Sequence, residues 1–169
     1  SEMCIETAPA EYAGILTSGS VEAVNTANNH SHDYGNQGYE DTISALDSAG
    51  ILNFGYDKTL VTEVKGIKVG LVGIYELKDH LERKEQLKQN IAKVKAEGAQ
   101  ITIVIFHWGN EKEEVPDSNQ TTLAHLAIDE GADLVCGHHP HVLQGIEEYN
   151  NSRYFNFSFI AGSHRRDFY

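Results

Sequence analysis

Three short apolar runs, each ending in a histidine-bearing segment, constrain this chain more than any other feature. Glu22-Ala23-Val24-Asn25-Thr26 leads into Ala27-Asn28-Asn29-His30-Ser31-His32-Asp33. Ile101-Thr102-Ile103-Val104-Ile105-Phe106 leads into His107-Trp108-Gly109, and Asp133-Leu134-Val135-Cys136 into Gly137-His138-His139-Pro140-His141. Runs this short and rich in β-branched residues read as buried strands. In open α/β sheets, ligand sites gather outside the carboxyl ends of strands. Histidine is the commonest metal ligand. Six of the nine histidines lie in these three segments, so the pattern predicts a metal site assembled from distant parts of the chain.

Between the strands the apolar period becomes helical. Pro9–Leu16 reads as a helix with proline early. Val21–Thr26 reads as a strand. Gln37–Ala49 carries Tyr39, Ile43 and Leu46 on one face and stops at Gly50. Thr59–Val64 and Ile67–Tyr75 flank Lys65-Gly66 as a hairpin. Asp79–Glu97 reads as a helix with Leu87, Ile91 and Val94 inward. Ser118–Glu130 reads as another, with Leu123, Leu126 and Ala127 inward and Asp117 or Ser118 as its cap. Val142–Tyr149 and Arg153–Phe159 read as a closing strand pair. Strand–helix alternation with added hairpins indicates one α/β domain over residues 1–169 with at least one mixed sheet. Val104, Val135, Ile103 and Cys136 are expected to be buried structural residues. The polar stretch Glu111–Asn119 is expected to be a surface loop near the site.

The formal net charge is −12. Nucleic-acid binding through a basic surface is therefore excluded, since phosphate neutralisation needs clustered Lys and Arg. An acidic domain can still hold an anion if bound cations supply the positive field. Two cysteines imply no disulfide framework. No apolar stretch approaches the roughly 18 residues that span a bilayer. The chain does not begin with Met, so a leader or anchor could precede Ser1.

The chemistry follows from donor types. An extended His139-Pro140-His141 would place both imidazoles on one side, because strand side chains alternate with period 2. His138 would then point away and serve in support. His107, ending a strand in this company, reads as a ligand. The Asn29 carbonyl is an ordinary oxygen donor, and His30 beside it could act as a general acid. His32 and Asp33 are expected to pair and orient the ligands. A mixed nitrogen and oxygen set without thiolate suits Mn, Zn, Fe or Ni. One or two such divalent ions can bind a phosphoryl or carbonyl oxygen and activate water.

These segments, in order, resemble the bacterial capsule-synthesis proteins of the CapA/PgsA type. The match carries Ala27-Asn28-Asn29-His30 with Asp33-Tyr34-Gly35, His107-Trp108-Gly109, and Gly137-His138-His139-Pro140-His141-Val142-Leu143-Gln144. That family is linked to poly-gamma-glutamate production and lies in the calcineurin-like metallophosphatase superfamily. The resemblance spans about residues 9–159. It implies a metallophosphatase-like sandwich of two mixed β-sheets flanked by helices. It also implies a two-metal site: Asn29, His107 and His139 on one ion, His141 on the other, and His30 touching substrate. The superfamily's opening Asp-X-His and Gly-Asp motifs are not found in this chain. The resemblance therefore describes a domain lacking its amino-terminal strands, and a weak or inactive hydrolase as it stands.

The function implied is capsule or poly-gamma-glutamate biosynthesis, with a phosphate ester or polyglutamate as substrate. Its partners would be an anionic polymer or a phosphorylated small molecule, and other capsule-synthesis membrane proteins. Its location would be extracytoplasmic, at the cell surface or membrane. Two alternatives stand beside this. One is a general nucleotidase-like phosphoesterase, which would need an aromatic stacking site that the sequence does not locate. The other is a non-enzymatic polymer-handling component of an export complex.

Overall fold

A computed structural model describes residues 9–150 and, as backbone, residues 152–156. Cys4 and the end of the expected last strand lie outside the described residues. The elements in order are α1 (Ala13–Ser18), β1 (Ala23–Asn25), α2 (Gly35–Ser48), β2 (Leu52–Phe54), β3 (Leu60–Val64) and β4 (Ile67–Tyr75). They continue with α3 (Lys84–Ala96), β5 (Ile101–His107), α4 (Ser118–Asp129), β6 (Leu134–His138), β7 (Ile146–Tyr149) and β8 (Ser152–Asn156). Single 3-10 turns, Ala10–Tyr12 and His80–Arg83, precede α1 and α3.

Two sheets form, with helices flanking them. The larger has the order β3-β4-β5-β6-β8-β7. It is mixed: β4, β5, β6 and β8 run parallel, with antiparallel hairpin partners at both edges. The smaller is a parallel pair, β1 and β2, rather than a mixed sheet. Lys65 and Gly66 both adopt positive φ, the geometry of a two-residue hairpin turn between β3 and β4.

The alternation of each strand decides where its side chains go. Val72 and Ile74 of β4, Val104 and Phe106 of β5 and Val135 of β6 point to one face and are fully buried. Leu87, Ile91 and Val94 of α3 and Leu123, Ala124 and Ala127 of α4 close over them. The helical period alone predicts most of that inward set. α4 begins with a reciprocal cap: Asp117 accepts from the Gln120 backbone, and the Gln120 side chain accepts from the Asp117 backbone.

The opposite face differs from expectation. Ile103 and Cys136 are half-buried, not buried. What covers this side is the small sheet, which approaches β4 through a glycine contact. A Cβ on Gly73 would stand 2.3 Å from Asn25 Oδ1 and 2.9 Å from Gly55 Cα. Only glycine permits that approach, and it sets the segment after β1 over the ends of β4 and β5.

Candidate metal centre

β4, β5 and β6 run parallel and end side by side, with Tyr75 opposite His107 and His107 opposite His138. Their carboxyl ends form the floor of the site. The segment after β1 folds back over it as tight turns. His30 N–H donates to Asn28 Oδ1 at 2.8 Å, and Tyr56 O–H donates to the Asn28 carbonyl at 3.1 Å. Ser31 O–H donates to the Thr26 carbonyl.

Asn29 and His107, 78 residues apart, meet here: His107 Nε2 lies 2.9 Å from Asn29 Oδ1. The His139 ring lies beside His107 with centroids 4.8 Å apart, and His141 lies 5.6 Å beyond His139. Asn29 Nδ2 donates to His30 Nε2 at 3.2 Å, and His30 Nδ1 donates to Asp33 Oδ2 at 2.9 Å. Four of the expected ligands and the expected acid thus lie in one connected constellation.

Two expectations fail in detail. Asp33 pairs with His30, whereas His32 stacks on Tyr39 with centroids 4.6 Å apart. The cause is the turn geometry: Asp33 N–H donates to the His30 carbonyl, which brings side chains three apart together rather than neighbours. His139-Pro140-His141 is also not extended. His139 has φ 97° and His141 φ 59°, so the segment is a tight turn after β6. Left-handed backbone at non-glycine residues costs about 1–3 kcal/mol and concentrates at functional sites. His138, half-buried, lies opposite His107 in the register and points to the same side of the sheet.

Burial is the main influence on the rings' protonation. It pushes His107 down to about 3, helped by the neighbouring His139, His138, His30 and His141. It also lowers His138. His139 is lowered by burial, against the opposing pull of Glu111. Neutral imidazoles keep a lone pair for metal. Ligand atoms on one ion, with bonds of about 2.0–2.2 Å, lie about 3–4 Å apart. As it stands the Asn29–His107 contact is a hydrogen bond from the His107 ring N–H to Asn29 Oδ1; with the ring proton on Nδ1 instead, the same two atoms are spaced to flank a divalent cation.

Several participants were not evident from sequence. Glu76, directly after β4, is buried and accepts from His80 Nδ1 at 2.8 Å. Burial raises its carboxyl, and the His80 contact opposes the rise. With Glu111, Asp117 and His139 it lines a cleft of about 330 Å³ beside the centre. Tyr39, Tyr56 and Tyr75 form a line of ring contacts reaching His107. A lone Glu after a strand and tyrosines spread over 37 residues carry no pattern that would have linked them.

A sheet whose strand ends gather nitrogen and oxygen donors from three distant segments defines an α/β protein with a candidate metal centre. The chain belongs to the bacterial capsule synthesis protein PGA_cap family, whose model matches residues 2–160. It is 34% identical over 165 residues to the capsule biosynthesis protein CapA of Bacillus anthracis, covering 82% of this chain and 40% of that protein. It is 33% identical over 176 residues to the PGA biosynthesis protein CapA of Bacillus subtilis, covering 90% and 46%. A probable polyglutamine synthesis accessory protein of Mycobacterium tuberculosis is 29% identical over 153 residues, covering 73% and 40%. The chain spans less than half the length of these relatives.

Proposed function

We propose that this chain is the metal-binding domain of a poly-gamma-glutamate capsule biosynthesis protein and acts as a metal-dependent hydrolase on a phosphate ester or on the polymer. The observation that carries the reading is the 2.9 Å approach of Asn29 Oδ1 to His107 Nε2, with His139 alongside. Asn29, His107 and His139 would hold one divalent ion, Mn, Zn or Fe, and His141 would contribute to another. Such ions polarise a phosphoryl or carbonyl oxygen and activate water. Asp33 fixes the proton of His30 on Nδ1, which turns Nε2 toward the centre. From there His30 can take up or deliver a proton at a substrate oxygen. The family names support the capsule context, and the same reading puts the protein outside the cytoplasm, at the cell surface. Among the described residues no helix is long and apolar enough to cross a membrane.

The test is calorimetric titration with Mn(II) or Zn(II), followed by an aryl phosphate assay. Wild type is expected to bind metal, and His107→Ala to lose that binding. Turnover is expected to be weak, because one ion has three of these donors and the other has only His141 among them. Failure of wild type to bind, or binding indifferent to His107→Ala, sinks the reading. Robust turnover abolished by His107→Ala or His30→Ala would show that a full catalytic site is present already.

A second reading has an observation in its favour. The line of Tyr39, Tyr56 and Tyr75 beside His107 offers aromatic surface to a nucleobase, as a nucleotidase-like phosphoesterase requires. A nucleotide panel discriminates: preference for nucleotides over aryl phosphate, lost in Tyr75→Ala, favours it over the polymer.

A further inference from the structure

We propose that Glu111 is a metal ligand: with His139 and His141 it forms a second cation-binding set on the rim of the centre, beside the Asn29–His107 pair. The inference rests on the function proposed above, because it takes the centre to hold metal. One ligand atom from each of Glu111, His139 and His141 lies within 4.8 Å of the others. Glu111 Oε1 stands 3.9 Å from His141 Nε2. That is too long for a hydrogen bond. It suits two donors flanking one ion, whose bonds of about 2.0–2.2 Å set them about 3–4 Å apart.

Glu111 is exposed, yet its backbone is held. Trp108 N–H donates to the His138 carbonyl at 3.1 Å, and Lys112 N–H donates to the Pro140 carbonyl at 2.7 Å. Gln144 Nε2 donates to the Glu113 carbonyl at 2.7 Å, and Gln120 Nε2 donates to Gln144 Oε1 at 2.9 Å. These ties fasten the loop after β5 to the loop after β6, on either side of Glu111. Asp117, another acid of the loop, is engaged in capping α4. Glu111 is the loop's acid whose carboxylate joins the histidines.

The donor chemistry is complementary. Two imidazoles and one carboxylate are a sufficient protein set for a catalytic-type zinc or manganese site with an open position. The carboxylate also offsets the ion's charge, which neutral rings cannot do. His139 lies between the two sets; its neutral ring offers one lone pair, so it joins both ions only as an imidazolate, the ring N–H proton being released to solvent as the second ion binds. The rim ion is thereby given a carboxylate that the sequence motifs alone did not supply.

The test is Co(II) titration of the full chain, read by calorimetry and by the visible spectrum of the bound ion. Wild type is expected to bind two ions. Glu111→Gln should weaken the second by at least tenfold, the loss seen even for groups one step removed from a metal, and alter the spectrum. His141→Ala should do the same, and the double variant should add little. Glu114→Gln removes the same charge from the same loop and should leave both ions in place. Binding of one ion only, or of two ions indifferent to Glu111→Gln, overturns this proposal. A wild type that binds no metal, or binding indifferent to His107→Ala, overturns the proposed function instead.

Discussion

On the helix side of the six-stranded sheet, Val72, Ile74, Val104, Phe106 and Val135 are fully buried. On the other side, Leu71, Ile103, Ile105, Leu134 and Cys136, drawn from the same strands, keep part of their surface. Composition does not distinguish the two faces; coverage does. α3 and α4 pack over β4, β5 and β6, whereas the small sheet is two strands wide and packs mainly, through β2, against β3 and β4. The less covered face is also the one toward which His107 and His138 point. Stability and chemistry are thus divided between the two sides of one sheet. The sealed side holds the strands in register, and the open side receives the candidate metal centre at their ends.

The largest expected effect tests that division with matched chemistry. Ile74→Ala removes a fully buried side chain from the helix side and should lower stability by about 2–5 kcal/mol. Ile105→Ala makes the same deletion on the half-covered side and should cost about half as much, since part of that surface is already in water. Urea unfolding of both variants checks this. Equal losses would mean that the two faces are equally packed.

A smaller effect joins the faces to the site. A Cβ at Gly73 would collide with Asn25 Oδ1, which accepts from Ala27 N–H at 3.0 Å. Gly73→Ala should cost about 1–3 kcal/mol through overpacking. It should also weaken metal binding, because the turn carrying Asn29 starts from that contact. Gly14→Ala, where a Cβ meets nothing within 4 Å, lies in α1 and should stabilise by up to about 1 kcal/mol through helix propensity while leaving metal affinity unchanged. A Gly73→Ala variant with unchanged metal affinity would separate the small sheet from the site.

The sequence made the scaffold legible where periodicity had room to act. β4, β5, α3 and α4 are long enough for their alternation to name the buried residues. β2 was not evident: Leu52–Phe54 is three residues, too few for a period to register. The meeting of Asn29, His107 and His139 was legible because each lies at or within a few residues of a strand's carboxyl end, and parallel strands end together. Glu111 was not, since its place depends on backbone ties between two loops. His32 and Asp33 were mispaired for a related reason: a turn joins residues three apart, and adjacency in sequence does not imply contact.

The smallest effect is on reactivity rather than stability, and it reads the two faces with one reagent. Cys136 lies on the half-covered side, and burial pushes its thiol up from the ordinary range. Less thiolate is then present near neutral pH, and the thiolate is the reactive form. In a Cys4→Ser background, Cys136 should label more slowly than the same thiol in denatured chain, with a rate that climbs as pH rises toward its raised pKa. Its partial exposure should nonetheless let it react without global unfolding. Val135 is the adjacent residue and is fully buried on the helix side. A Val135→Cys, Cys136→Ser variant in that background should label only as fast as the protein unfolds. Disulfide-exchange labelling across a urea series measures both. If the two positions show the same denaturant dependence, the difference in coverage between the faces is not felt by a small reagent. If Cys136 labels as fast as the denatured chain, its face is open altogether rather than half-covered.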